Sequence, residues 1–239
     1  IRARAYVTSD ALRGEQMLRP DFTVPVVQMH MREGAEPARY TYAGEVFRRQ
    51  EHDPSRANEY IQVGYEVFDR TDPAAADAEV FALIAEGLKG LPVAPVTGDI
   101  GVLMAAVEGL NTTARRKHAL MRHIWRPRRF RGLLERFAGR TPVPPTRAAL
   151  LAGEAPKGAP LVGLRSAAEI DARVAALRED AAADPISARD VDLIEVLLEV
   201  RETMPNALSR LHDLAVDLPS IAPAVARVAA REKALQARG

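Results

Sequence analysis

Residues 39–49 read RYTYAGEVFRR and residues 59–70 read EYIQVGYEVFDR. β-Branched and aromatic residues dominate both stretches, which predicts two extended strands, Arg39–Arg49 and Glu59–Arg70. The polar connection Gln50 to Asn58, with Asp53-Pro54-Ser55 inside it, would join them as a long antiparallel hairpin with an extended loop. Strand side chains alternate, so Ile61, Val63, Tyr65 and Val67 share one face of the second strand. Tyr60, Gln62, Gly64, Glu66 and Phe68 share the other. Gln62 and Glu66 then project the same way, roughly 13 Å apart at ~3.3 Å per residue, with Gly64 between them. A glycine flanked by an amide and a carboxylate leaves room for something to lie on the sheet. On period alone, a half-solvated strand with ordinary polar residues outside carries the same pattern. The first strand repeats the theme with Tyr40, Tyr42, Gly44, Val46 and Arg48 on one face. A carboxylate suits an ammonium group, an amide a polar side chain, and an arginine at the loop end a carboxylate or phosphate. The spacing points to an amino-acid site without naming the ligand.

Outward from this hairpin the composition changes. All five tyrosines lie before residue 70, and from Asp72 onward the chain is rich in Ala, Leu and Arg with helical periodicity. The plan is α+β: a sheet-containing core over residues 1–111 and a mostly helical part over 112–239. Helices are predicted at Val24–Arg32, at Pro73–Leu91 and in several stretches after Ser166. Asp72-Pro73, Ser166, Ser187 and Pro205-Asn206 mark helix starts. Gly139 to Pro160, dense in Pro and Gly, is the linker candidate. Lys+Arg number 33 against 32 Asp+Glu, a net charge of +1, which excludes a globally basic nucleic-acid binder. The absence of cysteine removes disulfides, thiolate zinc sites and cysteine nucleophiles, and is compatible with a reducing cytosol. No apolar run approaches the ~20 residues that span a bilayer, so a cytoplasmic protein without membrane contact is expected.

Three motifs in order, Leu18-Arg19-Pro20-Asp21-Phe22-Thr23, Tyr42 to Arg48 (YAGEVFR) and Glu59 to Phe68 (EYIQVGYEVF), resemble the catalytic core of class II histidyl-tRNA synthetases. They resemble still more the synthetase-derived regulatory subunit family of ATP phosphoribosyltransferase, the enzyme that opens histidine biosynthesis. Thr97-Gly98-Asp99-Ile100-Gly101 resembles the strand-to-helix turn that follows in the same core. The resemblance implies a histidine pocket made by Asp21, Thr23, Arg48, Gln62 and Glu66. Asp21 and Thr23 would hold the amino group, Gln62 and Glu66 would approach the same amino acid, and Arg48 would serve its carboxyl region. The departures fall on ATP and tRNA functions. Phe47-Arg48-Arg49-Gln50 puts Gln50 where the synthetase pattern has a glutamate, and Ala57 replaces a loop aromatic, although Arg56 is retained. A Gly-rich motif ending in Glu-Arg, an anticodon-domain pattern and a second histidine-specific stretch with tyrosines are absent. The resemblance therefore implies a regulator without catalytic residues or cofactor. It would bind histidine and a short-form catalytic phosphoribosyltransferase subunit as a homodimer within a hetero-oligomer, and would not use tRNA. Divergent or truncated synthetase and stand-alone histidine- or RNA-binding module are the alternatives. The motifs also suggest a piece of a longer domain.

Between Arg115 and Arg131 lie eight cations, with no acid between Glu108 and Glu135. Arg115, Arg116, Arg128 and Arg129, with Arg56 from the loop, are candidate contacts for an anion or a partner. Trp125 and Phe130 interleave, as stacking on RNA would require. The plainer alternative is a pair of amphipathic helices burying Leu120, Ile124, Leu133 and Leu134 while the arginines stay solvated. His118 and His123 are five apart, a poor spacing for two ligands on one helix face, so no metal is expected. His30, between two methionines in a helix, reads as structural.

Overall fold

Alternating side chains along residues 38–47 and 59–68 give each segment one face to cover, and the two pair as antiparallel strands. The computed structural model describes residues 5–50, 55–154 and 163–238. A short hairpin, β1 (Val7–Asp10) and β2 (Gly14–Met17), precedes helix α1 (Thr23–Glu33). Strands β3 (Ala38–Phe47) and β4 (Glu59–Phe68) form the second two-stranded sheet, in a register that sets Tyr42 opposite Gly64 and Gly44 opposite Gln62. Residues 51–54 of the connecting loop, with His52, Asp53 and Pro54, lie outside the described residues. Helix α2 (Pro73–Gly87) starts where Asp72 accepts a hydrogen bond from the Ala75 N–H at 3.0 Å, with Pro73 at its first position. It ends before the predicted Leu91.

Eight further helices follow among the described residues: α3 (Ile100–Gly109), α4 (Ala114–Arg122), α5 (Pro127–Phe137), α6 (Pro145–Leu151), α7 (Ala167–Ala182), α8 (Ala188–Leu198), α9 (Met204–Asp217) and α10 (Ala222–Gln236). Ser166 caps α7 in a reciprocal capping box with Glu169, and Ser187 caps α8 by accepting from the Asp190 N–H. Helix α9 begins at Met204 after Thr203, one residue ahead of the predicted Pro205-Asn206 start. Asp99 caps α3, but residues 92–99 form no strand, so the predicted strand-to-helix turn is a loop-to-helix turn. Part of the linker candidate is ordered as α6; residues 155–160 lie outside the described residues.

The chain divides into two units. One holds residues 1–95 and 230–239; the other holds 96–229. Helix α3, assigned from sequence to the sheet-containing part, belongs to the helical unit because Val102, Leu103, Ala106 and Val107 are buried in that unit's core. Leu120, Ile124, Phe130 and Leu134 from α4, the α4–α5 turn and α5 join them, as do Val191 and Ile194 of α8 and Leu211 and Leu214 of α9. In the sheet unit, His30 is buried at 3% exposure, its ring stacked on Phe68 at 3.8 Å and its Nδ1 3.2 Å from the Tyr40 hydroxyl. It is structural there. No described helix is long and apolar enough to cross a membrane.

Candidate functional site

Leu18 to Thr23 carries few apolar residues, so it is fixed by hydrogen bonds rather than by burial. The Phe47 N–H donates to the Arg19 carbonyl at 2.9 Å, which ties this segment to the end of β3. Arg19 donates from Nε and Nη2 to the Glu45 carbonyl at 3.1 and 2.8 Å, and its guanidinium lies 3.9 Å from the Phe22 ring centre. Arg48 donates from Nε to the Pro20 carbonyl and from Nη2 to Asp21, both at 2.7 Å. These bonds place Asp21 and Thr23 over the polar face of the sheet.

All five residues assigned from the motifs meet there. The Asp21 carboxylate accepts from the Thr23 N–H at 2.8 Å and from Arg48. Glu66 accepts from the Thr23 hydroxyl at 3.0 Å and, more loosely, from the Tyr42 hydroxyl at 3.4 Å. Gln62 hydrogen-bonds Asp21, while its own Oε1 is buried without a hydrogen-bond partner among the described residues. Burial would raise the Asp21 pKa, but the Thr23 backbone and hydroxyl, Arg48 and Gln62 together hold it below the ordinary aspartate value. Tyr42 moves the other way: burial first, then the charges of Glu66 and Asp21, raise its pKa against its hydrogen bond with Thr23. Its phenol therefore stays protonated and donates.

One expectation needs correction. Gly64 does leave room on the sheet, but the Tyr42 ring fills it. A Cβ at Gly64 would sit 2.1 Å from the Tyr42 Cζ and hydroxyl oxygen. Gly44 is covered in turn by Phe22, which stacks on Tyr42 at 4.7 Å, and by Arg19. Arg48, expected to meet a ligand's carboxylate, donates to the Pro20 carbonyl and to Asp21 and positions the latter. Tyr42, Phe22 and Arg19 were not assigned to the site from sequence. The hairpin register would have found Tyr42, because it lies directly opposite Gly64 on the shared face.

The chemistry available follows from the charge pairing. Asp21 has Arg48 as counter-ion at 2.7 Å. Glu66 has hydroxyl donors and, among the described residues, no cation. A half-buried carboxylate with hydroxyl donors and no counter-ion among the described residues suits a cationic group rich in N–H donors. Among the described residues no group of three His, Asp or Glu side chains is placed to hold a metal ion.

The basic segment divides. Arg116 is 5% exposed; it donates to Asp180 at 2.8 Å and to the carbonyls of Asp180, Ala183 and Asp184, closing the C-terminal end of α7. Burial removes it from the candidate contact set. Arg115, Arg128 and Arg129 are exposed, as is Arg56.

Comparison with known proteins places these observations. A family model described as histidyl-tRNA synthetase matches residues 2–177. The ATP phosphoribosyltransferase regulatory subunits of Brucella anthropi and Brucella canis are 31% and 30% identical, covering 90% and 91% of this chain and 62% of each relative. The corresponding protein of Agrobacterium fabrum is 37% identical over 115 residues, 46% of this chain and 30% of its own. The chain thus spans less than two thirds of the length of these curated relatives. A solved structure, "an ATP phosphoribosyltransferase regulatory subunit/histidyl-tRNA synthetase" from Bacillus halodurans, matches with a TM-score of 0.58 at 19% identity, covering 99% of this chain and 50% of that one. That likeness establishes the fold as α+β and class II synthetase-like.

Proposed function

Since the chain belongs to the histidyl-tRNA synthetase family, we propose that it acts as the regulatory, non-catalytic part of an ATP phosphoribosyltransferase and that histidine is the effector it binds. The observation that carries this reading is Glu66: a carboxylate held by the Thr23 and Tyr42 hydroxyls, without a cation among the described residues. The α-ammonium of histidine brings one positive charge and three N–H donors, which match this carboxylate. It takes the place at Glu66 that the Tyr42 hydroxyl holds loosely at 3.4 Å. The names of the Brucella and Agrobacterium relatives support the regulatory role. Gln50, standing where the synthetase pattern has its adenine-placing glutamate, supports a site that no longer serves ATP.

In this reading the protein does no chemistry of its own, takes no cofactor and works in the cytoplasm. It pairs with a second copy within a larger assembly that includes a short-form catalytic subunit, and it leaves tRNA alone. Feedback then requires histidine to bind the active and inhibited states of that assembly with different affinity. The test is an assay of phosphoribosyl transfer by the catalytic subunit, with the chain added and then with histidine added. The expected result is higher activity on adding the chain and lower activity on adding histidine. Activity indifferent to both additions contradicts the proposal. Histidine-dependent exchange of pyrophosphate into ATP by the chain alone would favour a synthetase instead.

A further inference from the structure

The acid-free basic segment falls into two classes of cation. Arg131 pairs with Glu195 at 2.8 Å, Lys117 donates to the Glu108 carbonyl, and Arg116 is buried against Asp180, so these three serve the helical unit itself. Arg115 is exposed in the first turn of α4; Arg122, Arg126, Arg128 and Arg129 are exposed at the turn from α4 to α5, and among the described residues no acid pairs with any of these four. Trp125, in the same turn, is 75% exposed. The turn is anchored from beneath, since its neighbours Ile124 and Phe130 are buried.

Three features of this turn oppose the stability of the isolated fold. An indole left in water forfeits one of the largest burial gains available to a side chain. Arg128 and Arg129 sit in the first turn of α5, the end of a helix that disfavours positive charge. His123, in the same turn, has its pKa lowered first by burial and then by the charges of Arg129, Arg126 and Arg122. Their mutual repulsion goes uncompensated within the described residues.

We infer that the α4–α5 turn is a docking surface for a protein partner that presents carboxylates around an apolar recess for Trp125. Tryptophan and arginine are the residues that most often dominate binding at protein interfaces, and the guanidinium fork matches a carboxylate bidentately. A protein fits better than nucleic acid because the four cations of this turn cluster around a single exposed indole on a chain of net charge +1, whereas a nucleic-acid strand is tracked along an extended cationic groove. The partner's identity rests on the regulatory reading, which makes it the catalytic phosphoribosyltransferase subunit.

The test compares binding of that subunit to the full chain, by calorimetry, for the wild type, Trp125→Ala, the Arg126→Glu/Arg129→Glu pair and the control Arg201→Glu on another exposed site. Thermal melts check that each variant folds. The first two are expected to bind about tenfold more weakly or worse, with the wild-type affinity falling as salt rises; Arg201→Glu should match the wild type. Wild-type affinity in Trp125→Ala and in the arginine pair overturns the docking assignment and leaves the regulatory reading standing. No binding by the wild type overturns both. Oligo(U) RNA that binds the wild type more tightly than the subunit does, and is lost in the same variants, overturns the choice of a protein partner.

Discussion

The sheet unit and the helical unit treat polar groups in opposite ways. In the helical unit an extensive apolar cluster from α3, α4, α5, α8, α9 and α10 excludes water, and its buried ion pair, Arg116 with Asp180, is satisfied down to the carbonyls at the end of α7. In the sheet unit the buried apolar residues among those described are Ala5, Val26, Val46 and Ala78. The polar face there is held by hydrogen bonds among Asp21, Thr23, Arg48, Gln62 and Glu66, and among the described residues it keeps a charge without a counter-ion and an oxygen without a donor. Stability is concentrated where polar groups are complete. Binding is expected where they are incomplete, because unmet acceptors are what a ligand can supply.

The largest expected effect tests the first half of that contrast. Leu134→Ala removes a fully buried side chain and should cost about 2–5 kcal/mol in denaturant unfolding. Little loss would show that the helical cluster does not carry the stability of its unit. Next comes Gly64→Ala, whose new methyl would collide with the Tyr42 ring. Displacing a ring already stacked on Phe22 should cost about 1–3 kcal/mol, measured by the same unfolding; a neutral result would mean that Tyr42 is not held over the glycine. Tyr42→Phe removes the longest of the bonds to Glu66. It should change stability by less than about 1 kcal/mol and should not weaken histidine binding, since the hydroxyl competes with the ligand for Glu66.

The smallest effect lies on the opposite face of the sheet. Glu79 of α2 is held at about pKa 2, first by the Arg39 hydrogen bonds at 2.6 and 2.7 Å and then by the Tyr65 hydroxyl. A carboxylate whose folded pKa lies below its ordinary 4.5 adds stability at neutral pH that is lost as pH falls from that value toward about 2. Melting curves of wild type and Glu79→Gln should differ slightly above pH 4.5 and converge near pH 2. The difference is small because Arg39 is well exposed and solvent screens the pair.

Legibility in the sequence followed the range of the interactions. The caps at Asp72, Ser166 and Ser187 were readable because each is a bond to a neighbour within three residues. The strands β3 and β4 were readable from residue type and alternation. The β1–β2 hairpin was missed because VTSD and GEQM carry no apolar alternation and bury nothing. Placing α3 required knowing which core its apolar face enters, which is a tertiary fact. That Asp21, Thr23, Arg48, Gln62 and Glu66 meet was legible through ordered motifs, yet the bonds of Arg48 and the filling of Gly64 depend on contacts with residues more than twenty positions away. Arg116 looked like part of a solvated basic run because its partner Asp180 lies 64 residues on.

The central claim is that Glu66 is the anionic anchor for histidine. Titrating the full chain with L-histidine in a calorimeter, beside Glu66→Ala, tests it directly. Saturable binding by the wild type is expected, weakened by about 1–3 kcal/mol in the variant, with the two melting together. No binding by the wild type, or equal affinity in both proteins, would contradict it.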